Sequence, residues 1–152
     1  MSLGDDVLSF HRDLLLRSGL LLEASLEEQE GTLVVSMSGP DRDLMLQERA
    51  ELLEAVQYLA NRIFAGRLGE TVRIVADCDG FRKRKEEELR QIAIRASEKV
   101  KRTRESQELG LMNPYERRIV HLAVAEQGDV TSSSRGEGYM KRVTIALAPR
   151  SG

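Results

Sequence analysis

At 152 residues, with 41% hydrophobic residues, 32% charged residues and no Trp, the chain has room for one medium domain or two small ones, each with an apolar core. No run approaches the ~18 apolar residues of a membrane span, and the opening lacks the basic-then-apolar layout of a signal peptide, so a cytoplasmic protein without membrane insertion is expected. The net charge of −2 is unevenly divided: residues 1–79 hold 7 Lys or Arg against 15 Asp or Glu, and residues 80–152 hold 16 against 10. Such a division points to nucleic-acid binding by the basic half, and equally to two domains with different surfaces.

In chain order, residues 5–18 read as an amphipathic helix with Val7, Leu8, Leu14 and Leu15 on its apolar face. "LLEASL" and "TLVVSMS" alternate like strands, joined by a polar "EEQEG" connector. After the Gly39-Pro40-Asp41 break, residues 41–66 favour helix, with Leu52, Leu53, Val56, Leu59, Ala60 and Ile63 as its apolar face. "TVRIVADC" is a strand that completes an α+β unit over residues 5–79. A long helix is expected over 81–105, with Arg82, Lys83, Lys85, Arg90 and Lys101 on its charged side, a pattern usual for a solvated face. "QELGLM" is strand-like, "NPYERRIVHLAV" opens as a helix with Asn113 as cap and Pro114 at its first position, and "VTSSS" and "KRVTIALA" form a hairpin around residues 135–138. The second unit spans residues 80–150.

Little of this supports catalysis or metal binding. Cys78 is the only cysteine, so no internal disulfide is possible, and a buried structural thiol is expected. His11 and His121 are far apart in sequence and supply no zinc cluster. Ser132 to Ser134 lack a nucleophile-elbow context, so no catalytic residue, metal or cofactor is assigned. On the helix from Asn113, Arg117 and His121 lie roughly 40° apart, which makes them neighbours. The predicted core side is Tyr115, Ile119, Leu122 and Ala123, with Arg117 and His121 nearly opposite. Val120 and Val124 also fall on that polar side, either under the following hairpin or as a floor beside the two polar groups. By spacing alone the pair is either a working surface or two ordinary solvated residues.

Three ordered blocks, "DGFRKRKEEELRQIAIRASEKV", "LGLMNPYERRIVHLAV" and "VTSSSRGEGYMKRVTI", resemble the C-terminal half of the Jag (SpoIIIJ-associated) family of bacterial RNA-binding proteins. That half is an R-three-H domain, and Arg117 and His121 match its Arg-x-x-x-His signature. The resemblance implies single-stranded nucleic-acid binding through this helix and the adjoining basic hairpin, with Arg118, Arg135, Lys141 and Arg142 adding charge. The hairpin is one residue longer than the usual pattern, which leaves the register of Ser132 to Ser134 open. Upstream, "LLEAVQYLANRIF" resembles the helix after the Gly-x-x-Gly turn of the family's KH domain. Counting back from Gln57, Tyr58 and Leu59 puts that turn on Gln47, Glu48, Arg49 and Ala50. The implied architecture is α+β, a type II KH-like α-β-β-α-α-β domain joined by a long helix to the R-three-H domain.

With both glycines replaced and Glu48 inside the turn, the KH-like loop is expected not to bind. The function expected is therefore non-enzymatic binding of single-stranded RNA, or single-stranded DNA, by the C-terminal half. The alternative is a protein-interaction or homodimerisation adaptor using the acidic half, which exposed apolar residues on 41–66 would favour.

Overall fold

Ser2 opens the first helix: its hydroxyl accepts from the Asp5 amide (3.1 Å) and its own amide donates to the Asp5 carboxylate (3.4 Å). In the computed structural model of the chain, which describes residues 2–150, helix α1 therefore spans Leu3–Ser18 and starts two residues before the expected position. Its buried stripe is Val7, His11 and Leu15, spaced by four, and Gly19 in a left-handed conformation ends it.

Strands β1 (Glu23–Gln29) and β2 (Thr32–Ser38) pair antiparallel, with Gln29 opposite Thr32. Most of the expected connector is thus strand, and the turn shrinks to Glu30 and Gly31. Strand β3 (Arg73–Cys78) pairs parallel with β2, setting Leu33, Val35 and Met37 beside Ile74, Ala76 and Cys78 on one buried face. Cys78 makes no disulfide there.

Helix α2 (Arg42–Ile63) is two arms divided by a turn at Gln47–Ala50. Glu48, Arg49 and Ala50 all take left-handed conformations, with φ of 51°, 60° and 59°. The turn therefore falls where the resemblance to the KH domain places it, and residues other than glycine take positive φ there. For side-chain-bearing residues this conformation costs roughly 1–2 kcal/mol each. Burial of the Ala50 methyl in the core is one offset.

The second arm buries Leu53, Val56 and Ala60 but leaves Leu52, Leu59 and Ile63 exposed, so the apolar face read from the sequence is split. Its polar residues serve the sheet. The Asn61 side chain accepts from Ile74 N (2.9 Å) and donates to Ile74 O (2.7 Å), and the Gln57 carbonyl accepts from Ala76 N (3.0 Å). These amides cover the outer edge of β3, whose backbone groups would otherwise lack a strand partner. A short α3 (Ala65–Leu68) follows the second arm.

Helix α4 (Phe81–Thr103) is the expected long helix. The chain forms two compact units, Met1–Arg82 and Lys83–Gly152. In the second, β4 (Gln107–Met112), β5 (Val130–Arg135) and β6 (Lys141–Leu147) form an antiparallel sheet in the order β4-β6-β5, with α5 (Pro114–Ala125) between β4 and β5. Its core joins Leu89, Ala93 and Val100 of α4 to Val120, Ala123 and Val124 of α5, and to Val143 and Ile145 of β6. The whole is an α+β protein of small sheets packed on helices. No helix among the described residues is long and apolar enough to cross a membrane.

Candidate nucleic-acid interface

Helix α5 begins as its sequence dictates. The Asn113 side chain accepts from Glu116 N (2.8 Å), the Glu116 carboxylate accepts from Asn113 N (3.1 Å), and Pro114 occupies the first turn. Glu116 is itself buried and has Lys85 Nζ at 3.6 Å, so its charge is compensated inside the unit.

The face that α5 buries differs from the one its sequence suggested. Glu116, Val120, Ala123 and Val124 are inside, whereas Leu122, expected in the core, is 58% exposed. The cause is the β5–β6 hairpin, which packs over the Val120–Val124 side. Arg117 and His121 consequently border the buried face instead of standing opposite it. The same hairpin supplies hydrogen-bond partners to both side chains.

The Arg117 guanidinium bridges two backbone segments, with Nε donating to Met112 O (3.3 Å) and Nη2 to Tyr139 O (3.0 Å). It thus ties the end of β4 to the hairpin tip, and Nη1 has no protein partner among the described residues. His121 lies one turn on. Its Nδ1 meets Ser132 Oγ at 2.6 Å and its Nε2 meets Ser134 Oγ at 2.8 Å. A neutral imidazole satisfies both contacts by donating from one nitrogen and accepting a hydroxyl proton at the other. Burial first, and then the Arg117 charge, hold the His121 pKa below its ordinary value. The group on Nδ1 is a hydroxyl and not a carboxylate, so the trio lacks the orienting acid of a nucleophile–base–acid set.

Strand alternation explains why two of the three serines reach the ring. In the β5–β6 register Ser132 opposes Ile145 and Ser134 opposes Val143, so both serines share the helix-facing side with buried residues. Ser133 points away. The same alternation was readable in "VTSSSR", but the extra hairpin residue hid which serines face inward.

The expected site residues are not one cluster. Arg117, Arg118 and His121 share α5, with Arg118 exposed. Arg135 and Arg142 oppose each other across β5 and β6, on the sheet face turned away from α5. Arg142 also pairs with Glu108 at 3.2 Å. Lys141 opposes Met112 and is half-buried at the start of β6.

The charged side of α4 is largely engaged within the protein. Arg82 donates to Ala76 O (3.0 Å) and Gln57 Oε1 (2.9 Å) and pairs with Glu54; Arg90 pairs with Glu126 (3.3 Å); Lys101 donates to Gln127 O (2.6 Å). In the first unit, Glu48 and Arg49 are exposed in the left-handed turn. No group of three or more His, Cys, Asp or Glu suited to a metal ion occurs among the described residues.

Comparison with known proteins gives a match to the R-three-H domain over residues 87–147. The chain is 31% identical over 148 residues to the RNA-binding protein KhpB of Clostridium symbiosum, covering 96% of this chain and 67% of that protein. It is 25% identical over 126 residues to the RNA-binding protein KhpB of Bacillus subtilis strain 168, covering 82% of this chain and 61% of that one. The chain thus spans about two thirds of the length of these relatives.

Proposed function

The chain belongs to the KhpB (Jag) family of RNA-binding proteins, and from that premise we propose that it is a non-enzymatic binder of single-stranded RNA acting through the outer surface of α5 and the β5–β6 hairpin. In this reading residues 80–150 are the R-three-H binding domain and residues 5–79 a KH-like domain whose turn at 47–50 no longer clamps a backbone. The observation that carries the proposal is the fixed pair on α5. Arg117 and His121 are both held by the hairpin before any ligand arrives, which lowers the entropy lost on binding. An Arg with an open Nη1 suits a phosphate oxygen, and the exposed Arg118 beside it adds a second cation.

Binding to single-stranded RNA, single-stranded DNA and duplex RNA across a salt series tests this. Affinity for single strands should exceed that for duplex and should fall as salt rises, with the slope reduced by about one per phosphate contact removed. Arg117→Ala/His121→Ala should bind at least tenfold more weakly than the wild type. Equal binding by the two proteins would remove the site from α5.

A second reading has its own support. In the first unit Leu52, Leu59 and Ile63 are exposed along one side of α2, and an apolar groove of about 160 Å³ lies between α1 and α2, lined by Leu14, Leu20, Met45, Leu52 and Leu59. Such a stripe suits a protein partner or a second copy of the chain. Sedimentation of the wild type and of Leu59→Asp/Ile63→Asp separates the two readings. A monomer at all concentrations for both would remove self-association.

A further inference from the structure

The geometry of His121 carries a conclusion about how a strand is read, and it rests on the α5 reading above. An imidazole that recognises a phosphate does so with a ring N–H. Here both ring nitrogens are already occupied, by Ser132 Oγ at 2.6 Å and Ser134 Oγ at 2.8 Å, and the two hydroxyls lie on one strand that fixes the plane of the ring. What a half-exposed ring can still offer a ligand is its face and its C–H edge. These surfaces suit a nucleobase or a ribose, not an anion.

Leu122 strengthens this assignment. It follows His121 on the helix and is 58% exposed. Arg117–His121 and Arg118–Leu122 are i,i+4 pairs and Arg118–His121 an i,i+3 pair, so the four residues form one continuous patch on α5. Its N-terminal edge holds two guanidinium groups, and its next turn holds an imidazole and an exposed aliphatic side chain that flank the Arg118 position. We propose that the patch is divided by chemistry. Arg117 and Arg118 take a phosphate, while His121 and Leu122 form a platform for an unstacked base, with Ser132 and Ser134 as positioning residues that fix the ring.

This division accounts for a preference for single strands, since a base inside a duplex presents no free face. It also makes binding independent of imidazolium formation. Charged groups facing the ring are Arg117 and Arg118 on α5; the hairpin supplies neutral hydroxyls, with Arg135 on the opposite strand face.

The test compares a short single-stranded RNA with the same backbone made abasic, measured by fluorescence anisotropy with the full chain. The proteins are the wild type, His121→Phe, His121→Ala, Leu122→Ser, Ser132→Ala/Ser134→Ala and Arg117→Ala/Arg118→Ala, with circular dichroism as the folding check. Phe keeps a ring face without nitrogens, so His121→Phe should bind RNA within about threefold of the wild type, whereas His121→Ala and Leu122→Ser should each lose about tenfold. The abasic strand should bind the wild type weakly and Leu122→Ser no more weakly than the wild type. The serine double variant should bind RNA about threefold more weakly, because an unclamped ring must be ordered on binding.

The platform is overturned if His121→Phe is as weak as His121→Ala, or if the loss in Leu122→Ser is the same for RNA and the abasic strand. Wild-type binding that tightens tenfold between pH 7.5 and 5.5, and does so only when His121 is present, also overturns it. Should His121→Phe fail to fold, Leu122→Ser decides, because its side chain lies on the surface. If Arg117→Ala/Arg118→Ala binds like the wild type, the α5 reading itself fails. If that variant loses binding while the platform variants behave as phosphate contacts, only the division of the patch fails.

Discussion

The two units place a working-looking surface on a helix and secure it in opposite ways. In the acidic unit the turn at Gln47–Ala50 keeps a left-handed backbone while the residues on it are Gln, Glu, Arg and Ala. In the basic unit α5 has ordinary helical backbone, and it is the side chains that are fixed, Arg117 on two carbonyls and His121 between two hydroxyls. The contrast shows that a turn's conformation does not report its chemistry. The backbone at Glu48, Arg49 and Ala50 takes the left-handed path that glycines favour, while the side chains on it are a carboxylate, a guanidinium and a buried methyl. At α5 the candidate contacts are side chains, and their hydrogen bonds to neighbouring backbone and hydroxyl groups set their geometry.

Charge reversal is the strongest way to break the contrast. Arg117→Glu removes a phosphate contact and adds repulsion, and it should weaken single-stranded RNA binding by about 100-fold, or roughly 2.7 kcal/mol. Arg49→Glu makes the same change of charge in the left-handed turn and should cost less than about threefold if that turn lies off the RNA path. Comparable losses in titrations at one salt concentration would mean that the turn still binds.

The two histidines sharpen the same contrast through stability. His11 is fully buried in α1, with Nδ1 donating to Val7 O (2.7 Å) and Nε2 without a partner among the described residues, beside Phe10. Burial lowers its pKa, and the hydrogen bond to Val7 opposes that shift only in part. The folded pKa lies below that of the unfolded chain, so the unfolded state takes up more protons as pH falls. Stability should therefore decline as pH drops below about 6.5, and His121 contributes in the same direction. His11→Leu removes the unpaired nitrogen and should raise stability by about 1–2 kcal/mol at neutral pH. It should also flatten the decline between pH 7.5 and 5.5 in urea titrations. An unchanged pH dependence in the variant would show that His11 is not its source.

How far the sequence discloses all this depends on which interaction fixes each feature. Element order follows from local patterns, whereas the place of the turn at 47–50 comes only from the resemblance to the KH domain, since residues 41–66 by themselves favour helix throughout. The left-handed conformation of Glu48, Arg49 and Ala50 does not, because their intrinsic preferences oppose it and packing of Ala50 overrides them. The buried side of α5 was misread for a similar reason. Leu122 is the more apolar residue, but the hairpin covers Val120 and Val124, and no pattern within α5 says where the hairpin will lie. Arg82 looked like surface charge; its partners Glu54, Gln57 and Ala76 are more than five residues away along the chain or in another element. The serine clamp was half legible, since alternation pairs Ser132 with Ser134, but only the register with β6 tells which side they face.

The smallest effect probes the turn itself. Glu48 is exposed with φ at 51°, so its side chain contributes no core packing that could offset the conformational cost. Glu48→Gly relieves that cost in the folded state but also enlarges the entropy of the unfolded chain, so the net gain should be only about 0.5–1 kcal/mol. Ala50→Gly meets the same relief with a buried methyl lost, and should be neutral or destabilising. Thermal melts that rise for Glu48→Gly and not for Ala50→Gly would show a left-handed turn maintained by the core beneath it. If neither variant changes RNA affinity, the turn remains a structural corner even when its glycine character is restored. A gain in affinity with Glu48→Gly would instead show that one carboxylate, and not the shape of the turn, had closed the first unit to RNA.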